Sequence, residues 1–294
     1  MNNYWVMFIG RVIFGLGGEN NLVVQCFVVE KWFSGRMISI AFGMVMMSNL
    51  AGTMANNFLT PLAYELTGGN FAAVFGFSFI ALGVSVISAT TYVVLDCKYK
   101  DKYLIVEQEG KGGAKEKTFM ESFKEISWTF WAIMFAQLTT SNVYYQFMNF
   151  GTSYSQIRFG NTYSVSKNYL TLIPFVILLC MLLFSTFTEK FGQKGRMLMF
   201  SGWLSFITCI MLYFYPGDCG LMLIIPYVCF GLWFSVYSSA MWPSIPLTVP
   251  QKMMGFAYGL INAANNIGLA LYPFIFGAIN QPNTPEAYDN SIIG

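Results

Sequence analysis

The stretch YWVMFIGRVIFGLGGENNLVVQCFVV, residues 4–29, decides the fold class. It carries two charges, Arg11 and Glu19, in a run dominated by apolar and small residues. A helix needs about 20 mainly apolar residues to cross the hydrocarbon core of a bilayer, and this run exceeds that. It is too long for a strand, and glycine inside a spanning helix is tolerated because neighbouring groups re-satisfy the backbone. Seven more stretches of this character follow, at roughly 37–63, 71–95, 127–150, 168–188, 197–215, 221–241 and 255–280, with ends defined to within a few residues. The expectation is an all-α integral membrane protein with about eight spans.

Composition agrees. Of 294 residues, 55% are apolar, 18% aromatic and 10% charged, against about 25% charged in an ordinary soluble domain. Mean hydropathy is +0.53. Thirty charges cannot cover the surface of a soluble chain this long, so lipid is the solvent for most of it. A net charge of +2 does not point to nucleic acid. Histidine is absent, which removes His-based triads and His metal sites. Cys26, Cys97, Cys180, Cys209, Cys219 and Cys229 form no C-x-x-C pair and mostly sit in apolar runs. They read as small buried hydrophobes, not as a disulfide framework or zinc site. No metal site and no cofactor is expected. No Asn-x-Ser/Thr acceptor is present.

The connections carry a topology signal. Those at 30–36, 96–126, 189–196 and 242–254 hold thirteen basic residues, and the alternate set holds two, Arg158 and Lys167. The first set is therefore expected to be cytoplasmic. Both ends of the chain then fall on the opposite side, which predicts a piece of a larger protein lacking an odd number of spans at each end. The tail 281–294 reads as a loop that stops abruptly. The segment 96–126 is the one long polar stretch, with seven charges of each sign. Its run Gln108-Glu109-Gly110-Lys111-Gly112-Gly113-Ala114-Lys115 has linker composition and lacks P-loop spacing. The expected organisation is 1–95 as three spans of one helical bundle, 96–126 as a charged cytoplasmic linker, and 127–294 as five spans of a second, incomplete bundle.

Two stretches across the linker match as G-x5-N-x2-G: Gly43 to Gly52 with Asn49, and Gly259 to Gly268 with Asn265. Each follows a connection with Trp and a Ser two residues on, Trp32-Phe33-Ser34 and Trp242-Pro243-Ser244. Small residues spaced this way let helix backbones approach. Repeats in equivalent topological positions are a transporter signature.

These residues resemble the major facilitator superfamily. Gly10-Arg11-x3-Gly15-x-Gly17-Gly18-Glu19 looks like its fourth helix. Ser185-x3-Glu189-Lys190-x-Gly192-Gln193-Lys194 resembles a degraded copy of its loop between helices eight and nine, with Ser for the leading Gly and Gln for a basic residue. Phe8-Ile9-Gly10-Arg11 through Glu19, Gln25 and Trp32-Phe33-x-Gly35 are similar to the lysosomal dipeptide uniporter branch. So are Ala240-Met241-Trp242-Pro243, Val249-Pro250, Gly255-x2-Tyr258-Gly259 and Asn266-x-Gly268-Leu269-Ala270. The resemblance implies helices four to eleven of twelve. It also implies a lysosomal or vacuolar membrane and a glycosylated accessory subunit as partner.

Glu19 lies near the middle of a span, where a charged side chain costs roughly 2.5–3.5 kcal/mol even on insertion scales. It reads either as a cavity site or as half of an ion pair. The resemblance implies that this Gly-Gly-Glu acid holds a substrate's amino terminus. Arg11 is about 12 Å away along the helix, near the interface, and suits a structural or gating role together with Gly15, Gly17 and Gly18. Glu189, Lys190 and Gly192 belong to the gating loop that the resemblance implies. The relatives bind a carboxylate through a basic residue at the position of Leu50, and a leucine offers no charge-assisted bond.

Gln137, Ser141, Tyr144 and Tyr145 fall on one helical face, with Asn142, Gln146 and Asn149 beside it. Such a stripe either lines a wet cavity or packs through interhelical hydrogen bonds of about 0.6 kcal/mol each. Gln25, below Glu19, could line the same path. Asn56, Asn57, Asn262, Asn265 and Asn266 read as interhelical glue. Trp242-Pro243 reads as the end of a span and part of a gate.

Three function classes follow. The first is a secondary carrier of small peptide-like solutes working by alternating access, as a uniporter or, with Glu19 titrating, proton-coupled. The second is a membrane enzyme, disfavoured because one intramembrane acid and no acid pair is visible. The third is a non-transporting scaffold or accessory subunit.

Overall fold

The computed structural model describes residues 4–33, 37–110, 119–214 and 223–279. The sequence features at 34–36, the linker run from Lys111 to Lys115, Cys219 and the tail 281–294 lie outside them. Every regular element among the described residues is helical. In order they are α1 (Tyr4–Phe33), α2 (Ile38–Leu66), α3 (Phe71–Gly110), α4 (Phe119–Lys124) and α5 (Trp128–Ala136). A π-helical turn (Gln137–Ser141) leads from α5 into α6 (Asn142–Phe159). Then come α7 (Tyr163–Phe191), α8 (Lys194–Tyr213), α9 (Ile224–Ser244) and α10 (Met254–Ile279), with short 3-10 turns between the last two. Among the described residues seven helices are long and apolar enough to cross a membrane. The eighth expected span, 127–150, is the run α5–π–α6, which stays helical from Trp128 to Phe159 but carries the polar stripe.

Two boundaries differ from expectation. Helix α3 runs on to Gly110, well into the expected linker. The sequence there carries Lys98, Lys100, Lys102, Glu107 and Glu109 and is free of Gly and Pro until Gly110, so helix propensity carries it to the first residue of the glycine cluster. Helix α1 continues to Phe33, past the expected start of the connection at residue 30, and buries Glu30.

The helices pack as two separate units. One holds the described residues 51–110, the C-terminal part of α2 and all of α3. Its turn is closed by the Thr67 hydroxyl, which donates to Ala63 O at 2.7 Å, and by the Gly69 N–H, which donates to Tyr64 O at 2.9 Å. The larger unit holds the rest. Its centre is α9, lying between α7 and α8 and buried along most of its length, including Tyr227, Phe230 and Trp233. Helix α7 turns inward Leu170, Ile173, Ile177, Met181, Ser185 and Thr188, a buried stripe at helical spacing, and meets α9 where Ile173 lies against Gly231 and Thr188 bonds Ser239. The opposite face of α7 exposes Phe175, Leu179, Leu183 and Phe187. Helix α8 repeats the pattern, with Ser201 and Thr208 inside and Phe200, Trp203 and Phe206 outside. Large apolar groups outward and small or polar groups inward is the packing of helices in lipid.

Between α7 and α8 the chain turns at Gly192, which ends α7 at φ 63° and donates its N–H to Thr188 O at 3.0 Å. A left-handed residue here suits glycine, which has no Cβ to clash. Close approach explains two other glycines. A Cβ on Gly43 would overlap the Ser185 hydroxyl, so α2 lies directly on α7. A Cβ on Gly268 would overlap the Asn142 side chain, so α10 lies directly on α6. These are the first glycine of one repeat copy and the last of the other. Their counterparts, Gly259 and Gly52, face open space among the described residues.

Valine at Gly43 or Gly268 should therefore cost about 1–3 kcal/mol through overpacking, read as a lowered thermal midpoint in detergent. Alanine at Gly52 or Gly259 should leave the midpoint unchanged or raise it, with a gain in stability of up to about 1 kcal/mol, as helix propensity predicts. Equal losses at all four would show that the contacts are misassigned.

Candidate functional site

Helix α10 brings the site together. Tyr258, Asn262, Asn265 and Gly268 form one buried stripe along it, and each meets a different element. Asn262 donates its amide to Glu19 Oε2 at 2.7 Å, tying α10 to α1. The mid-span carboxylate thus has a neutral donor from another helix. Three glycines, Gly15, Gly17 and Gly18, precede Glu19 in the chain, and a Cβ on any of them would meet nothing within 4 Å. Arg11 is exposed on the same helix, nearer its N-terminus, and Gln25 is half-buried beyond Glu19.

Asn265 faces the π turn. Gln137 donates its amide to Asn265 Oδ1 at 3.4 Å and accepts the Tyr237 hydroxyl of α9 at 2.6 Å. Ser141, one turn on, sits beside the same phenol. A π turn is a common device at functional sites; here it carries Gln137 and Ser141, both buried. Asn142 donates to Leu138 O at 2.6 Å while its amide rests on Gly268. Gln146 is fully buried, and neither of its amide atoms has a partner among the described residues.

The polar stripe of this helix therefore divides. Gln137, Ser141 and Tyr144 turn inward, and Tyr144 stacks on Phe234 with ring centroids 3.8 Å apart. Tyr145 is 40% exposed, and its phenol lies within electrostatic reach of the Glu19 carboxylate. Glu19 of α1 and Asn262 of α10 thus come together in one place, which offers a carboxylate for a cation and an amide for neutral hydrogen bonds. Leu50 is half-buried and packs against the apolar core.

A second cluster closes the end of the larger unit that carries the α7–α8 turn. Glu189 accepts from the backbone N–H of Met37 at 2.8 Å and of Ser39 at 2.9 Å. It thereby satisfies orphan donors at the start of α2 and places a negative charge at the positive end of that helix. Lys194 lies close enough to Glu189 for their charges to interact, and its Nζ donates to Pro243 O at 3.0 Å. Gln193, where a basic residue was expected, accepts from Arg196 at 2.9 Å. Lys190 points over the Phe191 ring, 6.0 Å from its centroid. Trp242 stacks on Phe42 and on Tyr258 at 6.5 and 6.4 Å, joining α9, α2 and α10.

Sequence reading missed Tyr237, whose signal was the polar run Ser235 to Ser239 inside an apolar span. It placed Glu30 in a connection. It gave Asn262 only a packing role.

The sequence matches the profile of the Major Facilitator Superfamily over residues 1–273. It is 25% identical over 287 residues to the lysosomal dipeptide transporter MFSD1 of Homo sapiens, a match that covers 95% of this chain and 60% of that protein. The corresponding Gallus gallus protein is 24% identical over 287 residues, covering 95% of this chain and 63% of its own length. The Danio rerio protein is 22% identical over 288 residues, covering 95% and 60%. The chain thus spans about 60% of the length of the curated relatives it matches.

Replacing Gln137 with leucine would leave the buried Tyr237 hydroxyl and the Asn265 amide without their partner. The expected cost is about 1–3 kcal/mol, seen as a lower thermal midpoint. Tyr237→Phe combined with Gln137→Leu should recover part of it, because both polar partners are then gone; additive losses would argue against the bond.

Proposed function

The chain belongs to the Major Facilitator Superfamily, and we propose that it serves as a secondary carrier of small peptide-like solutes, working by alternating access and uniport. The observation that carries this reading is the Glu19 carboxylate, held in mid-span by Asn262 at 2.7 Å, with Tyr145 within reach of its charge. A cationic amine docks on Glu19 through a charge-assisted hydrogen bond. Tyr145 and the amide face of α10 orient the neutral remainder of the solute. Leu50 adds no charge, so recognition rests on the amine end and on neutral hydrogen bonds.

In this reading residues 1–95 belong to one helical bundle, 96–126 form the cytoplasmic linker, and 127–294 belong to the second bundle. The two bundles rock about a site near the membrane midplane. Glu189, Lys190, Gly192, Trp242 and Pro243 belong to the gate on the lysine-rich side. Likeness to proteins named as lysosomal dipeptide transporters supports a lysosomal or vacuolar membrane and dipeptide or amino-acid-like cargo. The resemblance of the motifs supports a glycosylated accessory subunit as partner. No catalytic role is assigned.

The test is uptake of a labelled dipeptide into liposomes carrying the full-length protein. A hydrogen bond to a charged group contributes about 1.5–3 kcal/mol, so Glu19→Gln should lower apparent affinity about ten- to a hundredfold with little change in thermal midpoint. Uptake indifferent to Glu19→Gln would remove the site from this account. Intact protein that binds no small solute in a thermal-shift screen would favour the scaffold role instead.

A further inference from the structure

The bond between Asn262 and Glu19 joins two helices that the carrier reading assigns to different bundles, α1 to the first and α10 to the second. Asn262 is 5% exposed, and its amide donates to Glu19 Oε2 at 2.7 Å. That distance falls in the range of hydrogen bonds to an ionised acceptor. Toward the lysine-rich side α2 stays against the later helices. Phe42 packs on Trp242 and Tyr258, Gly43 lies against Ser185, and Glu189 accepts from the Met37 and Ser39 backbone. Those contacts are made by rings, backbone and a turn. The Glu19–Asn262 bond differs from them, because its acceptor is the group on which a cationic amine docks in the carrier reading.

An ammonium carries a full charge and an amide does not, so the ammonium makes the stronger bond to the same carboxylate oxygen and displaces the amide. The displaced Asn262 amide then needs an acceptor, because a buried donor left unpaired is costly. In a peptide-like solute the carbonyl beside the amine supplies one. Such a solute fits between the two side chains, amine to the acid and carbonyl oxygen to the amide. A plain amine satisfies the acid and leaves the amide bare. When α1 and α10 separate with no solute between them, water alone replaces the bond. A hydrogen bond to a charged group outweighs that replacement by about ten- to a hundredfold in an equilibrium.

We propose, on the carrier reading, that Asn262 is the exchangeable partner of Glu19: a solute with a carbonyl one carbon from its amine inserts into their bond and frees α1 to leave α10. The empty carrier is held in the bonded arrangement, and the loaded one moves. Asn262 thereby selects the carbonyl and also couples loading to movement.

The experiment measures uptake of labelled dialanine by the full-length protein in liposomes that are either empty or preloaded with unlabelled dialanine. Net uptake into empty liposomes requires the unloaded carrier to return, and exchange does not. Exchange should outpace net uptake about tenfold or more. Asn262→Leu, which cannot donate, should bring the two rates together. The ratio does not depend on how much protein folds and inserts, so a merely structural loss leaves it unmoved. Should Asn262→Leu give no uptake, Asn262→Ser serves, because its short side chain falls away from Glu19 while the position stays polar. In the unsubstituted protein, alanine amide should compete with labelled dialanine at least about fivefold better than isopropylamine, which lacks the carbonyl.

Equal exchange and net rates in the unsubstituted protein, or a ratio that survives substitution of Asn262, overturn the exchange role and leave the carrier reading standing. Equal competition by the two amines overturns the carbonyl contact. No uptake of dialanine by the unsubstituted protein in either condition removes the carrier reading and this role with it.

Discussion

A carboxylate in the middle of an apolar helix has to be answered from another helix, and most of the larger unit can be read from that requirement. Asn262 answers Glu19 without neutralising it. The answer comes from α10, and the rest of the α10 stripe is committed as a result. One turn toward the N-terminus Tyr258 reaches the aromatic groups of α2 and α9. One turn the other way Asn265 meets Gln137, and beyond it Gly268 admits Asn142. A single helical face thus touches α1, α2, α9 and the α5–α6 run. Polar groups do much of this joining, because in lipid apolar side chains gain little by leaving one apolar surface for another.

The same physics sets the contrast between the two faces of α7 and α8. In water the buried stripe would hold the largest apolar groups. Here it holds serine and threonine as well as isoleucine, while phenylalanine and tryptophan face out. Hydroxyls such as those of Thr208 and Ser235 return their protons to carbonyls of their own helices at 2.7 and 2.9 Å. They cost little inside and allow close packing.

The spans were legible because about twenty apolar residues in a row leave few alternatives. The turn glycine Gly192 was legible from its motif, and its positive φ gives the physical reason. The repeat was legible as a pattern but not as energy. Of its four glycines only Gly43 and Gly268 face a neighbour among the described residues, and spacing alone cannot say which side of a helix is occupied. The polar stripe was read as one face, yet Tyr145 parts from Tyr144, because adjacent residues on a helix point about 100° apart. Glu30 was read as loop because it is charged and lies beside Lys31 and Trp32. It is nevertheless buried at the end of α1, and no local pattern records that.

The π turn at Gln137–Ser141 bears on how such a site diversifies. A π turn holds one residue more than the α-helical turn it replaces. Because the extra residue is absorbed within that one turn, removing a single residue there would restore an ordinary helix and leave α5 and α6 presenting nearly the faces they present now. Only the turn itself would change its aim, and with it the side chains that meet Asn265 and Tyr237. A one-codon deletion in this turn would therefore rewrite one local set of polar contacts in one step, leaving the carboxylate and its asparagine where they are.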